Sequence, residues 1–106
     1  MSHLIPFNTL PWTEPGFGVR FKAYEHGGQR VRLVEFSHGF AEPDWCRKGH
    51  VGYVLDGTFA NDYSGTLERY RKGDVIFIPQ GEADRHKAVL GPGETVTLLL
   101  FEMVEL

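Results

Sequence analysis

Apolar and polar residues alternate along much of this chain with a period of two, which is typical of strands that bury one face. The clearest examples are Val19–Tyr24 and Arg30–Ser37, which are separated by Gly27-Gly28. No segment has the 3.6-residue periodicity that indicates an amphipathic helix. The pattern therefore predicts an all-β chain of about nine short strands.

Turn-forming residues divide the rest of the chain into further strands. The segment that resumes at Trp45, with a kink at Gly49, ends at Asp56-Gly57, a pair that predicts a hairpin. Val75–Ile78 is apolar on both faces, as in the central strand of a sandwich or a closed barrel. The other predicted strands are 58–63, 66–71, 86–90 and 94–105.

Residues 1–16 contain Pro6, Pro11 and Pro15, and they predict an extended N-terminal arm that wraps around or pairs with the remainder. No linker or internal repeat interrupts residues 17–106, so we predict that they form a single domain.

Composition narrows the classes of function. The net charge is −3, whereas a nucleic-acid-binding domain needs a surplus of basic residues. The chain has one cysteine, so no intrachain disulfide can form. No apolar run approaches the roughly 18–20 residues of a membrane helix, and residues 1–8 lack the pattern of a secretion signal. We therefore expect a cytoplasmic protein that binds neither nucleic acid nor membrane.

Two segments resemble the paired motifs of the cupin superfamily. Gly73–Gly81 is similar to the second motif, which consists of glycine, five residues, proline, any residue and glycine. His50–Gly57 is similar to the end of the first motif, where an acidic residue precedes a Tyr-Val-Leu-x-Gly run. The resemblance to a small single-domain cupin implies a jelly-roll barrel, or double-stranded β-helix, whose interior holds a small ligand or a metal ion. Cupins serve as enzymes, storage proteins and ligand sensors, so the resemblance leaves the chemistry open.

The sequence departs from the superfamily at the usual ligand positions. Asp44 and Cys46 occupy the places of the two histidines of the first motif, and His50 stands where a glutamate is usual. In the second motif Asp84 has the spacing of the usual histidine. We interpret His86, two residues later, as the displaced equivalent in a lengthened loop.

These departures still suggest a metal site. Asp44, Cys46 and His50 have the same parity, so an extended segment places them on one face, with Asp44 and Cys46 about 6–7 Å apart. His86 from another strand completes a set of carboxylate, thiolate and two imidazoles. Such a set suits zinc, iron, nickel or copper, and Gly52 on the same face would leave open volume beside the ion.

Alternative interpretations remain open for each of these positions. Lys48 shares the parity and would direct a cation at the ion, unless Gly49 resets the register. A lone cysteine such as Cys46 is often a small buried hydrophobe. Asp44 follows Pro43, so it could equally stabilise a turn.

The sequence therefore predicts a metal-dependent enzyme acting on a small organic molecule, or a metal-free module that binds or senses such a molecule. Arg85, in the polar loop 82–85, either recognises a substrate carboxylate or is solvated. Exposed sheet edges in a domain of this size also predict a homodimer.

Overall fold

A computed structural model describes residues 2–104, which contain eight strands and two short 3-10 turns. The 3-10 turns cover Phe7–Thr9 and Glu82–Asp84. The strands are β1 (Thr13–Gly16), β2 (Val19–His26), β3 (Gln29–Ser37), β4 (His50–Tyr63), β5 (Thr66–Arg71), β6 (Val75–Ile78), β7 (Lys87–Val89) and β8 (Thr95–Met103). All paired strands are antiparallel, which confirms the all-β prediction. None of the described helical segments has the length and apolar character needed to cross a membrane.

The sheet order is β1-β2-β3-β8-β4-β5, and β6 and β7 also pair with β4. The first half of β4 pairs with β6 and β8, and its second half pairs with β5 and β7. A single long strand thus belongs to both halves of a curled sheet, and this curl encloses the interior.

The hairpin predicted at Asp56-Gly57 is wrong, because β4 continues through this pair. Its register with β8 shifts between Val54 and Asp56, which is a β-bulge. Gly57 has φ +80°, and a Cβ added to it would lie 1.9 Å from the carbonyl oxygen of Thr95. Gly57 therefore bends the strand where it changes partners, and it does not reverse the chain.

The core lies on the inner face of the curled sheet. β8 alternates strictly, with its even-numbered side chains buried and its odd-numbered ones more exposed. The core residues that are at most 2% exposed are Val34, Val54, Phe59, Ala60, Val96 and Leu98. This inner face also carries the polar residues of the site described below.

At the termini the described strands differ from the predicted boundaries. Thr13–Gly16, within the predicted arm, forms β1 and pairs with β2. The guanidinium carbon of Arg20 lies over the ring of Trp12, 4.0 Å from the ring centroid. β8 ends at Met103, whereas Glu105, the predicted end of this strand, lies outside the described residues.

Candidate metal centre

Three predicted ligands meet at one end of the sheet interior. Cys46 and His86 form an isolated antiparallel bridge through backbone hydrogen bonds of 2.8 and 2.9 Å. His50 begins β4, and its Nε2 lies 3.8 Å from Cys46 Sγ and 3.3 Å from His86 Nε2. All three potential ligand atoms lie within 4.8 Å of one another.

This convergence requires a bent chain between Cys46 and His50. Four residues of extended strand would span about 13 Å, but residues 47–49 are not in a strand. A Cβ on Gly49 would lie 2.8 Å from the backbone nitrogen of Gln80 and 2.9 Å from the carbonyl oxygen of Ile78. The kink predicted at Gly49 therefore lies where two segments of backbone approach each other closely. The convergence of Cys46 and His50 follows from this bend, and their shared parity does not explain it.

The structure does not bring Asp44 to this cluster. Its side chain is 77% exposed. Its Oδ1 accepts a hydrogen bond of 2.7 Å from the backbone N–H of Trp45, and its Oδ2 lies 3.6 Å from Arg47. Asp44 therefore acts as a turn residue, the alternative that the preceding proline suggests.

Each histidine is oriented through its Nδ1. His86 Nδ1 lies 3.0 Å from the carbonyl oxygen of Asp84, which accepts a hydrogen bond from the ring N–H. His50 Nδ1 lies 3.0 Å from Glu102 Oε1, at ion-pair distance but without hydrogen-bond alignment. Both contacts favour protons on Nδ1, and the two Nε2 atoms face Cys46 Sγ. Metal-binding histidines have this arrangement.

The spacing of the two imidazole nitrogens fits a tetrahedral ion. Two imidazole nitrogens bound to zinc at about 2.0–2.1 Å lie ~3.3 Å apart in tetrahedral geometry, and His50 Nε2 and His86 Nε2 are 3.3 Å apart. Without an ion or a shared proton, two lone pairs at this distance repel each other. The donor set of one thiolate and two imidazoles is one that transition metals prefer.

The charge state of Cys46 also suits metal binding. Burial by itself would raise the pKa of its thiol, but hydrogen bonds with His50 and His86 outweigh burial and lower the pKa to about 5. Burial would lower the pKa of each histidine, yet the contact with Cys46 raises both. At neutral pH Cys46 is therefore a thiolate, the form of cysteine that binds metals.

Sequence reasoning missed Glu102, which supports His50 from β8. Its side chain is fully buried, and it contacts Arg30, Arg32 and His50. Burial by itself would raise the pKa of this carboxyl, but His50 and the two guanidiniums hold it well below its usual range.

A signal for Glu102 was present in the sequence. The alternation of β8 puts Glu102 on the same face as Leu98 and Leu100, both of which are buried. A carboxylate on a buried apolar face requires a partner, and Arg30 lies directly opposite it in β3.

A cavity of about 300 Å³ adjoins the three ligands. Its walls are mainly apolar, and they include Phe21, Phe36, Phe40, Phe59, Ile76 and Leu98. Gly52 also lines this cavity, but a Cβ there would lie 2.8 Å from Leu100 Cδ2. The cavity therefore adjoins Gly52, as the sequence predicts, and the lack of a Cβ there also makes room for Leu100.

Three polar residues, Arg32, Glu42 and Asn61, line the cavity in addition to the three ligands. Glu42 Oε1 accepts a hydrogen bond of 3.0 Å from the backbone N–H of Ala88, and burial raises its pKa. Asn61 is 4% exposed and donates from Nδ2 to the hydroxyl of Tyr63 at 3.2 Å. The cavity therefore presents a few polar groups on an apolar surface, as ligand sites do.

Arg85 does not line this cavity. Its Nε donates to Ser64 Oγ at 2.9 Å, and its Nη1 donates to Glu82 Oε1 at 3.0 Å. These surface contacts match the solvated alternative for Arg85.

No protein-family model matches the chain. Among curated proteins, the chain is similar to stabilizer of axonemal microtubules 4 of Bos taurus, with 32% identity over 89 residues. The match covers 84% of this chain and 18% of that protein, so the chain spans less than a fifth of its relative.

Solved structures provide broader matches. The polyketide cyclase RemF from Streptomyces resistomycificus superposes with a TM-score of 0.82 and 24% identity, covering 99% of this chain and 81% of that one. An RmlC-like cupin from Shewanella frigidimarina NCIMB 400 has a TM-score of 0.76 and 18% identity, covering 99% and 93%. At this level of identity, such matches establish a shared fold.

Proposed function

Because the chain has the cupin fold, as its sequence motifs indicate, we propose that it is a metal-dependent enzyme acting on a small organic molecule. The observation that carries this proposal is the convergence of Cys46, His50 and His86 at the end of an apolar cavity. Zinc, iron, nickel or copper suits such a donor set. The likeness to a polyketide cyclase supports an enzyme of this fold, since that protein acts on a small molecule.

Three protein ligands leave a coordination position open, as in catalytic sites. A bound ion would supply Lewis acidity or a binding centre for dioxygen. Glu102 and the backbone oxygen of Asp84 orient the two imidazoles. The apolar walls of the cavity exclude water from the substrate, which strengthens every charge interaction inside.

Glu42 is the cavity group best suited to carry a proton. Its carboxyl lines the same cavity as the three ligands, and burial raises its pKa. A carboxyl group with a raised pKa holds its proton to a higher pH than an ordinary carboxyl group, which suits a group that exchanges protons with a substrate. In this proposal Glu42 transfers a proton to or from the substrate.

Metal analysis of protein purified without an affinity tag tests the proposal. We expect one equivalent of a transition metal in the parent and at least a tenfold lower affinity for zinc in Cys46→Ser, His50→Ala and His86→Ala. Asp44→Asn is the matched control, because Asp44 lies outside the cluster and its loss should leave zinc binding unchanged. Circular dichroism and melting temperature show whether each variant folds.

The opposite outcome is also informative. Substoichiometric metal, at the same level in the parent and in the ligand variants, would reject the metal site. The second candidate, a metal-free binding or sensor module, would then be the better account. The mainly apolar cavity favours this candidate, because it can hold a ligand without an ion.

In either case we propose a cytoplasmic protein, since a free thiol persists in a reducing compartment.

We also propose a homodimer that forms through the outer face of the sheet. In the register of the strands, Val51 of β4 lies between Phe77 of β6 and Phe101 of β8. The next pair on the same face of these two strands is Tyr53 of β4 with Val75 of β6. Exposed fractions of 75% for Phe77 and 69% for Val75 are high for apolar side chains.

The size of this outer face fits a second copy of the chain. Its exposed apolar side chains are Val51, Tyr53, Val75, Phe77, Phe101 and Met103. Given the usual area of such side chains, together they expose on the order of 600–700 Å². That is at or above the largest patch of a typical monomer and approaches the ~800 Å² that each partner contributes to a stable interface.

A further inference from the structure

Arg32 extends from β3 into the wall of the cavity. It lines the cavity with Phe21, and its guanidinium carbon lies 5.3 Å from the centroid of that ring. Only 20% of its side chain is exposed. Arg32 is thus a permanent cation against an apolar surface, in the wall of the cavity.

Most of the hydrogen-bonding capacity of Arg32 is unused. Its guanidinium has five N–H donors, and among the described residues it makes one hydrogen bond, from Nη2 to Glu102 Oε1. Its Nε is buried without a partner. Buried charged groups normally satisfy their donors, because leaving them unsatisfied costs free energy.

The charge of Arg32 is also poorly compensated. Glu102, its acidic partner, is shared with Arg30, whose Nε and Nη2 lie 2.8 and 2.7 Å from the other carboxylate oxygen. The same carboxylate contacts His50. Glu102 therefore serves two guanidiniums and one imidazole, whereas Arg30 has a second acidic contact of its own, from Nη1 to Glu25 Oε1 at 3.4 Å.

From this geometry we propose that Arg32 binds an anionic group of the ligand, and that the ligand is a small carboxylate with an apolar body. A guanidinium binds carboxylates through paired charge-assisted hydrogen bonds, and an apolar wall strengthens this attraction. The proposal deepens the proposed function and rests on the cavity being its ligand site.

The remaining walls indicate the character of the apolar body. Phe21, Phe36, Phe40 and Phe59 all line the cavity. Phe36 and Phe40 are stacked with their ring centroids 4.7 Å apart. A volume of about 300 Å³ is at the small end of ligand sites, so a carboxylate with one flat ring is a suitable size.

Benzoate and its uncharged analogue benzamide are probes for this site. Binding is measured by calorimetry on metal-free protein, so that a bound ion cannot hold the carboxylate. We expect the parent to bind benzoate at least tenfold more tightly than benzamide. Arg32→Gln should remove this preference by weakening benzoate alone, and Arg32→Lys should keep part of it.

Arg20→Gln is the matched control. Arg20 pairs with Glu35 at 2.7 Å, does not line this cavity and is 42% exposed, so its loss should leave both affinities unchanged. If Arg32→Gln does not fold, the parent still provides the test, since benzoate should shift the NMR signal of the Arg32 side-chain Nε–H.

Two results would overturn the proposal. In the first, the parent binds benzoate and benzamide equally well, or binds neither at millimolar concentration. In the second, a folded Arg32→Gln variant binds benzoate as tightly as the parent does. The metal analysis is independent of either result. Zinc binding without a preference for benzoate would contradict the role of Arg32 alone, whereas the preference without zinc binding would support a carboxylate-binding module.

Discussion

At the scale of single residues, two acidic groups that line one cavity have opposite pKa shifts. Cys46 has two imidazole partners, and their hydrogen bonds more than offset the effect of its burial. The Oε1 of Glu42 has one backbone N–H partner, so burial dominates and raises its pKa. One cavity therefore holds an anionic thiolate and a carboxyl group that retains its proton more readily. Acid–base sites commonly separate two titrating groups in this way.

Glu42→Gln should change how stability depends on pH. A carboxyl group whose folded pKa is raised above the unfolded value of about 4.3 stabilises the fold below that value. This contribution is lost as the pH rises through the folded pKa. Glutamine does not titrate, so the metal-free variant should gain stability relative to the metal-free parent as the pH rises above about 4.3.

Urea unfolding at several pH values measures this difference. Glu14→Gln, at an exposed position of β1, is the matched control for the loss of one carboxylate. A constant difference for Glu42→Gln over these pH values would show that Glu42 titrates normally.

At the scale of elements, β4 runs along the whole cavity. It carries His50 at its first residue and Asn61 near its end, and it changes pairing partners at Gly57. The bulge allows one strand to line both halves of the cavity. A hairpin at this point would have separated those halves.

Gly57→Ala should destabilise the protein much more than Gly65→Ala. Both glycines have positive φ, but an added Cβ at Gly65 meets no atom within 4 Å, whereas at Gly57 it meets the Thr95 carbonyl oxygen. Backbone strain by itself costs about 1 kcal/mol at Gly65. The additional clash should bring the loss at Gly57 to on the order of 3 kcal/mol or more.

Chemical denaturation of both variants provides the comparison. Similar losses at the two glycines would mean that the backbone at Gly57 relaxes freely. The bulge would then not depend on close approach to β8.

At the scale of the whole molecule, the curled sheet has two apolar faces with different roles. The inner face packs into the core and the cavity, whereas the outer face of β4, β6 and β8 leaves large apolar side chains exposed. A second copy can cover this outer face by a two-fold axis, which pairs the same surface on both chains.

Phe77→Glu should prevent formation of the proposed homodimer. We expect light scattering to give about twice the monomer mass of 12.0 kDa for the parent and the monomer mass for the variant at micromolar concentration. A buried, unpaired carboxylate at an interface is strongly unfavourable. Leu67→Glu, on β5 and 61% exposed, is the control and should remain dimeric. A parent that is monomeric at this concentration would reject the proposed interface.

Local patterns in the sequence determine much of this protein. Alternation and turn residues predict most strands, because the side chains of a strand alternate between its faces whatever it pairs with. The spacing of Gly73, Pro79 and Gly81 indicates the cupin fold, and it directs attention to His50 and His86. These features depend on neighbours in the chain.

Tertiary structure decides the rest, because it depends on residues that are distant in the sequence. Asp44 has the right parity, yet the turn in which its side chain accepts a hydrogen bond from the backbone of Trp45 leaves it in solvent. Glu102 reaches Arg30 across 72 residues, in a register that strand pairing alone creates. The pair Asp56-Gly57 favours a change in chain direction. Because β8 lies against it, the change takes the form of a β-bulge within β4. Local sequence therefore determines which residues form strands and which faces they bury, and long-range pairing determines which side chains meet in the site.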